Sequence, residues 1–255
     1  MSNPTLSSRT PTTISETRNE KVKAVVLAGG LGTRLRPYTL FLPKPMLPVG
    51  HRPILEHILE WLNRNGFDEV VISTGYLGRV IEEHFRDGSE LAMKIEYAKS
   101  TKPLGIAGQL RNSAPKLGST FVCLYGDAIV EFDLRRLLDF HISKNALLTM
   151  ALMGYKTQTK YGVIEHDEGG RILEWREKPA IEYDINIGCY VMDKRFLEYI
   201  PADSVYGMKE AFESALNKGE PLYSLKVDGS FMDIGDKQAY READEYFSQK
   251  YGKVP

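Results

Sequence analysis

An apolar run that ends in glycines and is followed by fixed cations constrains this chain more than any other stretch. Residues 22–28 read Val22-Lys23-Ala24-Val25-Val26-Leu27-Ala28, a segment of strand length. Gly29, Gly30 and Gly32 follow within four residues, so no Cβ keeps a bulky ligand off the backbone there. A turn with several free N–H groups makes an anion nest. Arg34 and Arg36 bring positive charge beside it, and Lys44, held between Pro43 and Pro45, adds another cation on a stiffened segment. The glycines alone are also compatible with an ordinary βα turn whose arginines lie on a solvated face. Strand, nest and convergent cations taken together describe a site for a polyphosphate.

Two well-known phosphate loops are excluded. No Gly-x-x-x-x-Gly-Lys-Ser/Thr string occurs in the chain. The dinucleotide pattern Gly-x-Gly-x-x-Gly fails because Gly30 and Gly32 are followed by Leu35 where glycine is required. A different nucleotide fold is therefore expected.

The 255 residues suffice for one large α/β domain with a full core. A net charge of −1 argues against nucleic-acid binding through a broad basic surface. No run approaches the ~18 apolar residues of a membrane span, so no membrane partner is expected. Cys123 and Cys189 each sit in an apolar run and read as buried free thiols in a reducing, cytoplasmic setting. Residues 1–20 are rich in Ser, Thr, Asn and Pro without an apolar stretch, which predicts a disordered arm and no signal peptide.

Along the chain, Pro53 opens an amphipathic helix that runs to Leu62. Residues 70–74 read as a buried strand, 80–85 as a helix, 93–98 and 121–125 as further strands. Such alternation predicts a three-layer α/β fold, a mostly parallel central sheet with helices on both faces. Ligands bind such sheets at the carboxyl ends of their strands, where the Gly29 turn and Asp127 both fall. Beyond residue 145 short strands dominate, at 147–153, 162–166, 171–175, 185–191, 222–227 and 231–234. Helical stretches are expected at 196–200, 208–216 and 237–249. Asp127 follows a buried strand, and Asp233 sits among apolar residues in Gly229-Ser230-Phe231-Met232-Asp233-Ile234-Gly235. Carboxylates in such settings are costly unless paired or metal-bound, and two of them suit Mg²⁺, although either alone also reads as a turn or cap aspartate.

Ala28-Gly29-Gly30-Leu31-Gly32-Thr33-Arg34-Leu35, with Pro43-Lys44-Pro45-Met46-Leu47-Pro48-Val49, resembles the signature of the sugar-1-phosphate nucleotidylyltransferases. The likeness extends over roughly residues 21–247. It implies a nucleotide-diphospho-sugar transferase-like fold and a catalytic domain spanning 21–255. It also implies the short branch of the family, without a C-terminal β-helix of hexapeptide repeats. By the same resemblance Leu27, Ala28, Gly29, Gly30, Gly32, Thr33 and Arg34 bind the nucleotide. Pro103-Leu104-Gly105-Ile106-Ala107-Gly108 resembles the loop that lies against the base, with Gly105 and Gly108 beside it. Ile106 stands where threonine is usual, and Ser100 where many relatives carry glutamine or glutamate. Tyr161-Gly162-Val163, Glu177-Lys178-Pro179 and Asn186-Ile187-Gly188 resemble the segments around the sugar phosphate. This gives Tyr161, Gly162, Glu177, Lys178, Asn186 and Gly188 as candidate contacts, although Glu177 and Lys178 also read as a surface ion pair. Gly126-Asp127 and Asp233-Ile234-Gly235 match the two metal-binding segments, with Phe231 where tryptophan is frequent.

The implied chemistry is nucleotidyl transfer. An oxygen of a sugar 1-phosphate attacks the α-phosphate of a nucleoside triphosphate, and pyrophosphate leaves. The nucleophile is already anionic, so positioning and charge neutralisation carry the catalysis and no general base is needed. Arg34 would neutralise the triphosphate, Lys44 would grip the transferring phosphate, Lys178 would orient the nucleophile, and Asp127 and Asp233 would hold Mg²⁺. Mannose 1-phosphate with GTP is the expected pair, ahead of glucose 1-phosphate with UTP or dTTP and of a heptose 1-phosphate. A glycosyltransferase of related fold is disfavoured because Asp127-Ala128-Ile129 supplies no Asp-x-Asp. A non-catalytic nucleotide-sugar sensor is disfavoured because every cation and carboxylate is present. Relatives are often dimers or tetramers, so a homo-oligomer is an expectation here too.

Overall fold

The computed structural model describes residues 21–252, so the expected arm at 1–20 lies outside the described residues. In chain order the first elements are β1 (Lys23–Leu27), β2 (Pro48–Val49), β3 (Arg52–Pro53), α1 (Ile54–Arg64), β4 (Glu69–Thr74) and α2 (Gly78–Phe85). Next come β5 (Lys94–Lys99), α3 (Gly105–Ser113), β6 (Thr120–Tyr125), β7 (Ala128–Glu131), α4 (Leu134–Lys144) and β8 (Leu148–Gln158). The last are β9 (Val163–His166), β10 (Ile172–Arg176), β11 (Ala180–Asp193), α5 (Met208–Asn217), β12 (Leu222–Lys226), β13 (Ser230–Asp233) and α6 (Lys237–Tyr251).

Seven strands form one sheet in the order β12-β8-β11-β6-β1-β4-β5. β5, β4, β1 and β6 run parallel, as do β12 and β8, while β11 is antiparallel to both of its neighbours. β1 is central and covered on both faces, which is why its sequence is continuously apolar. Its side chains alternate between two cores. Ala24 and Val26 join one built largely from α1, α2 and α6, and Val25 and Leu27 join the other against α3 and α5. The predicted helix-on-both-faces arrangement is thus observed. No helix among the described residues is long and apolar enough to cross a membrane.

The differences from the expected elements have local causes. β7 and α4 are absent from the sequence reading. α4 is capped by Asp133, whose side chain accepts from the Arg135 and Arg136 amides, and it buries Leu134, Leu137 and His141. β11 begins earlier than expected because its first half extends beyond the core, pairing with β8 as an exposed ribbon. Gly105 and Gly108 lie inside α3 and not in a loop before it. Both cysteines are free and buried, as expected, and burial pushes their thiols up.

The register of the strands assembles the site. Leu27 at the end of β1 pairs with Tyr125 at the end of β6, and the Gly126 amide donates to the Leu27 carbonyl at 3.0 Å. Gly30 and Asp127 therefore leave the sheet side by side, at the carboxyl ends of adjacent parallel strands. β13 then returns antiparallel to β7 with Asp233 opposite Ala128, and the Ile234 amide reaches the Asp127 carbonyl at 3.3 Å. Asp236 caps α6 by accepting from the Gln238 and Ala239 amides at 2.9 and 3.0 Å, which fixes the chain just beyond Asp233.

Candidate active site

The turn after β1 opens into a cleft of about 240 Å³. Leu27, Ala28, Gly30, Gly32, Thr33, Arg34, Lys44, Gln109, Tyr125 and Asp127 are among its lining residues. Gly32 has φ +60°, which reverses the chain into a short 3₁₀ turn at Thr33–Leu35, and the Thr39 hydroxyl locks its carbonyl at 2.9 Å. Gly30 and Gly32 line the cleft, and the amides of Gly30, Leu31 and Gly32 donate to no other described residue, so their donors are available.

Lys44 begins a second 3₁₀ turn, Lys44–Met46, with Pro45 inside it. Its side chain is only 9% exposed, and its ammonium donates to Asp127 Oδ2 at 2.8 Å. The pair is asymmetric, since the Asp127 side chain remains 42% exposed to the cleft. Asp233 lies beside it with its carboxyl raised above the ordinary value of 3.8. Desolvation is the largest cause and the Asp127 charge the second, while Lys44 and Arg34 pull the other way. A Cβ on Gly235 would come within 3.0 Å of Asp233 Oδ2 and 3.4 Å of an Arg34 guanidinium nitrogen, so the absence of a side chain keeps these two charges close.

Asp127 lines the cleft and Asp233, brought to its margin by the β7–β13 pairing, lies close enough for the two charges to repel. Lys44 and Arg34 offset part of that repulsion, a hard cation would relieve the rest, and carboxylate oxygens are the donors Mg²⁺ takes. No group of three or more His, Cys, Asp or Glu with metal-holding placement occurs among the described residues. Two protein carboxylates leave most of an octahedral shell to phosphates and water, which is the usual way Mg²⁺ is held beside a nucleotide.

The remaining expected contacts fall into four groups. The Gly29 amide is engaged inside the wall, donating to Gln109 Oε1 at 2.9 Å. Gly105, at φ +69°, and Gly108 are set against the backbone of residues 204–206. A Cβ on Gly105 would lie 2.5 Å from the Tyr206 carbonyl oxygen, and one on Gly108 would lie 2.7 Å from that of Ser204. Their small size thus serves helix–loop packing, and α3 presents Ile106 and Gln109 to the cleft where the sequence reading had the two glycines. Asn186 and Gly188 reach the cleft through one intermediary. The Asn186 amide donates to the Tyr190 hydroxyl at 2.7 Å, and that hydroxyl donates to the Tyr125 hydroxyl at 2.9 Å. Burial pushes the Tyr125 phenol up to about 12. Gly188 lacks the Cβ that would strike the Tyr125 ring at 2.7 Å. Tyr161, Gly162, Glu177 and Lys178 gather by the β9–β10 hairpin and do not line this cleft. There Trp175 Nε1 donates to Glu177 Oε2 at 3.2 Å, and Glu177 forms no ion pair with Lys178. Gln109 and Tyr125 are the hydrogen-bonding side chains of the lining that sequence reasoning missed. Neither carries a signal until the fold sets α3 and the end of β6 beside Gly29.

The sequence from residue 23 to residue 250 matches the family profile described as nucleotidyl transferase. The chain belongs to this family. It is 38% identical over 226 residues to a mannose-1-phosphate guanylyltransferase of Mycobacterium tuberculosis, covering 86% of this chain and 63% of that protein. It is 34% identical over 225 residues to a D-glycero-alpha-D-manno-heptose 1-phosphate guanylyltransferase of Aneurinibacillus thermoaerophilus, covering 87% of this chain and 96% of that protein. The chain thus spans less than two thirds of the first relative and nearly all of the second. Among solved structures, HddC from Yersinia pseudotuberculosis superposes with a TM-score of 0.71 at 26% identity, over 89% of this chain and 99% of the other. The nucleotidyl transferase fold expected from the sequence is the fold observed.

Proposed function

We propose that this chain transfers a nucleoside monophosphate from a nucleoside triphosphate to a sugar 1-phosphate, giving a nucleotide sugar and pyrophosphate. One observation carries the reading: Asp127, in the cleft at the end of β1 and paired with a buried lysine, feels the charge of Asp233, which Arg34 also reaches. The nest and Arg34 take the negative charge of the triphosphate and of the departing pyrophosphate. Lys44 takes the phosphoryl group that is transferred. Its rigid placement means that little reorganisation is needed as charge moves. The acceptor phosphate is already ionised, so the protein's work is to align it in line with the leaving group. Lys178, with Tyr161, Gly162, Glu177, Asn186 and Gly188, is assigned to the sugar phosphate. Asp127 and Asp233 are the residues that would hold Mg²⁺, which supplies positive charge to the phosphates when bound.

For the substrates, the reading is a manno-configured sugar 1-phosphate with GTP. Both relatives described above are named as guanylyltransferases of manno-type sugar phosphates. The heptose form has its own support, because this chain covers nearly the whole length of the heptose relative. The test is pyrophosphate release with GTP, UTP, dTTP, ATP and CTP against mannose, glucose and heptose 1-phosphates. Release that requires both substrates, fastest with GTP and a manno-type acceptor, is expected. No release with any pair, or triphosphate hydrolysis indifferent to the sugar, would overturn the proposal.

A further inference from the structure

The cleft has two chemically different walls. Charge is concentrated on Arg34, Lys44 and Asp127, whereas α3 contributes Ile106 and Gln109 and the end of β1 contributes Leu27 and Ala28. Phosphates belong with the first wall. The second suits a flat heterocycle, with apolar contact on its faces and a neutral hydrogen-bonding group at its edge.

Gln109 is that group, and its orientation is fixed. A glutamine amide has one accepting and one donating end, and rotating it by a half-turn exchanges them. The Gly29 amide is a donor with no freedom to become an acceptor, and it meets Gln109 Oε1 at 2.9 Å. The flipped amide would set N–H against N–H. The grip is close enough that a Cβ on Gly29 would sit 2.7 Å from the same oxygen. The Gln109 main chain is anchored as well, its carbonyl accepting from the Ser113 hydroxyl at 3.0 Å. Its Nε2 donates to no other described residue, and the residue lines the cleft. With Oε1 taken by the Gly29 amide, the group Gln109 leaves free at the cleft is a donor.

We propose that Gln109 selects the nucleobase, its Nε2 donating to a ring carbonyl and so favouring bases with a keto group at that edge (guanine, uracil, thymine) over those with an amino group there (adenine, cytosine). This rests on the assignment of the cleft to a nucleoside triphosphate and adds the class of base. An amino group placed against Nε2 leaves two donors facing each other, and the lost hydrogen bond together with the unsatisfied donor is worth about tenfold or more in affinity.

The experiment is equilibrium binding of GTP, UTP, ATP and CTP to the full chain by calorimetry at fixed Mg²⁺, with pyrophosphate release measured on the same samples. The parent protein should bind GTP over ATP and UTP over CTP by about tenfold or more. Gln109→Glu keeps an oxygen for the Gly29 amide and turns the outward donor into an acceptor, so both ratios should fall to near one or invert. Its added charge weakens all four triphosphates alike and leaves the ratios untouched. Gln109→Leu is the neutral control and should lower both ratios without that uniform loss. A parent that binds all four alike, or variants that keep both ratios within twofold, would overturn the assignment. Release without base preference sinks the role of Gln109 and leaves the transfer reaction standing. Base preference in binding without release does the reverse, and a chain that binds none of the four refutes both.

Discussion

Replacing Lys44 by methionine separates what the site contributes to folding from what it contributes to chemistry. The ammonium stands 2.8 Å from Asp127 Oδ2, with side-chain exposures of 9% and 42%. At that separation the bare attraction is about 6 kcal/mol for an effective dielectric of ~20. Withdrawing the ammonium from water costs several kcal/mol, so most of the attraction is already offset in the folded chain. Methionine has similar length and no charge to desolvate, and Lys44→Met should change the unfolding free energy by less than about 1 kcal/mol. Asp127→Asn removes the other partner and leaves a buried ammonium with no carboxylate in direct contact. Its cost should be about 1–3 kcal/mol, below that of a fully buried pair because water reaches the Asp127 side. Activity should not follow stability. On the proposed function both variants lose a group that acts on the reacting phosphates, which should cost about 2.7–4 kcal/mol of barrier or 10²–10³ in rate. Urea unfolding in EDTA reads the first effect, and pyrophosphate release at saturating substrates reads the second. Equal destabilisation by the two variants, or a Lys44→Met rate close to that of the parent, would refute this reasoning.

The remaining predictions concern the same edge of the sheet. Asp233 has its carboxyl raised in the folded chain, so between the ordinary carboxylate value and the raised one the folded state holds a proton that the unfolded state has lost. Stability in EDTA should fall as pH rises through that window and stay lower above it. Asp233→Asn should abolish the fall and stabilise the metal-free protein at neutral pH by about 0.2–1 kcal/mol, the scale of facing like charges across a strand pair. A variant less stable than the parent at neutral pH would contradict the repulsion argument. Gly105→Ala should destabilise by about 1–3 kcal/mol, because φ is +69° and the new Cβ meets the Tyr206 carbonyl. A thermal melt unchanged from the parent would show that the 204–206 backbone yields freely.

How much of this was legible depended on how many faces of each element are buried. β1, β4 and β6 are covered on both sides and read as continuous apolar runs, so their positions and the placement of Gly30 and Asp127 at strand ends followed from pattern alone. α4 carries a signal that went unused, Asp133 as a cap followed by Leu134, Leu137 and His141 at helical spacing. The β11 ribbon beyond the core alternates weakly, with Glu182 and Tyr183 exposed, and periodicity had nothing to grip there. Asp127 and Asp233 were each ambiguous as isolated aspartates. Only the resemblance joined them in the sequence, and only the β7–β13 pairing joins them in space. The packing of Gly105 and Gly108 was not legible because the partner that demands small residues there, the 204–206 segment, lies far along the chain. Gln109 had no signal at all, since its meaning comes from a hydrogen bond to Gly29 across the fold.

On the proposed function Asp127 and Arg34 act on the same phosphates from opposite charges. Steady-state pyrophosphate release with Mg²⁺, GTP and a manno-type sugar 1-phosphate, comparing the parent with Asp127→Ala and Arg34→Ala, tests this at once. A drop of about 10²–10³ in each, corresponding to ~3–4 kcal/mol of barrier, is the expected result. Folded variants that release pyrophosphate at nearly the parent rate would contradict it.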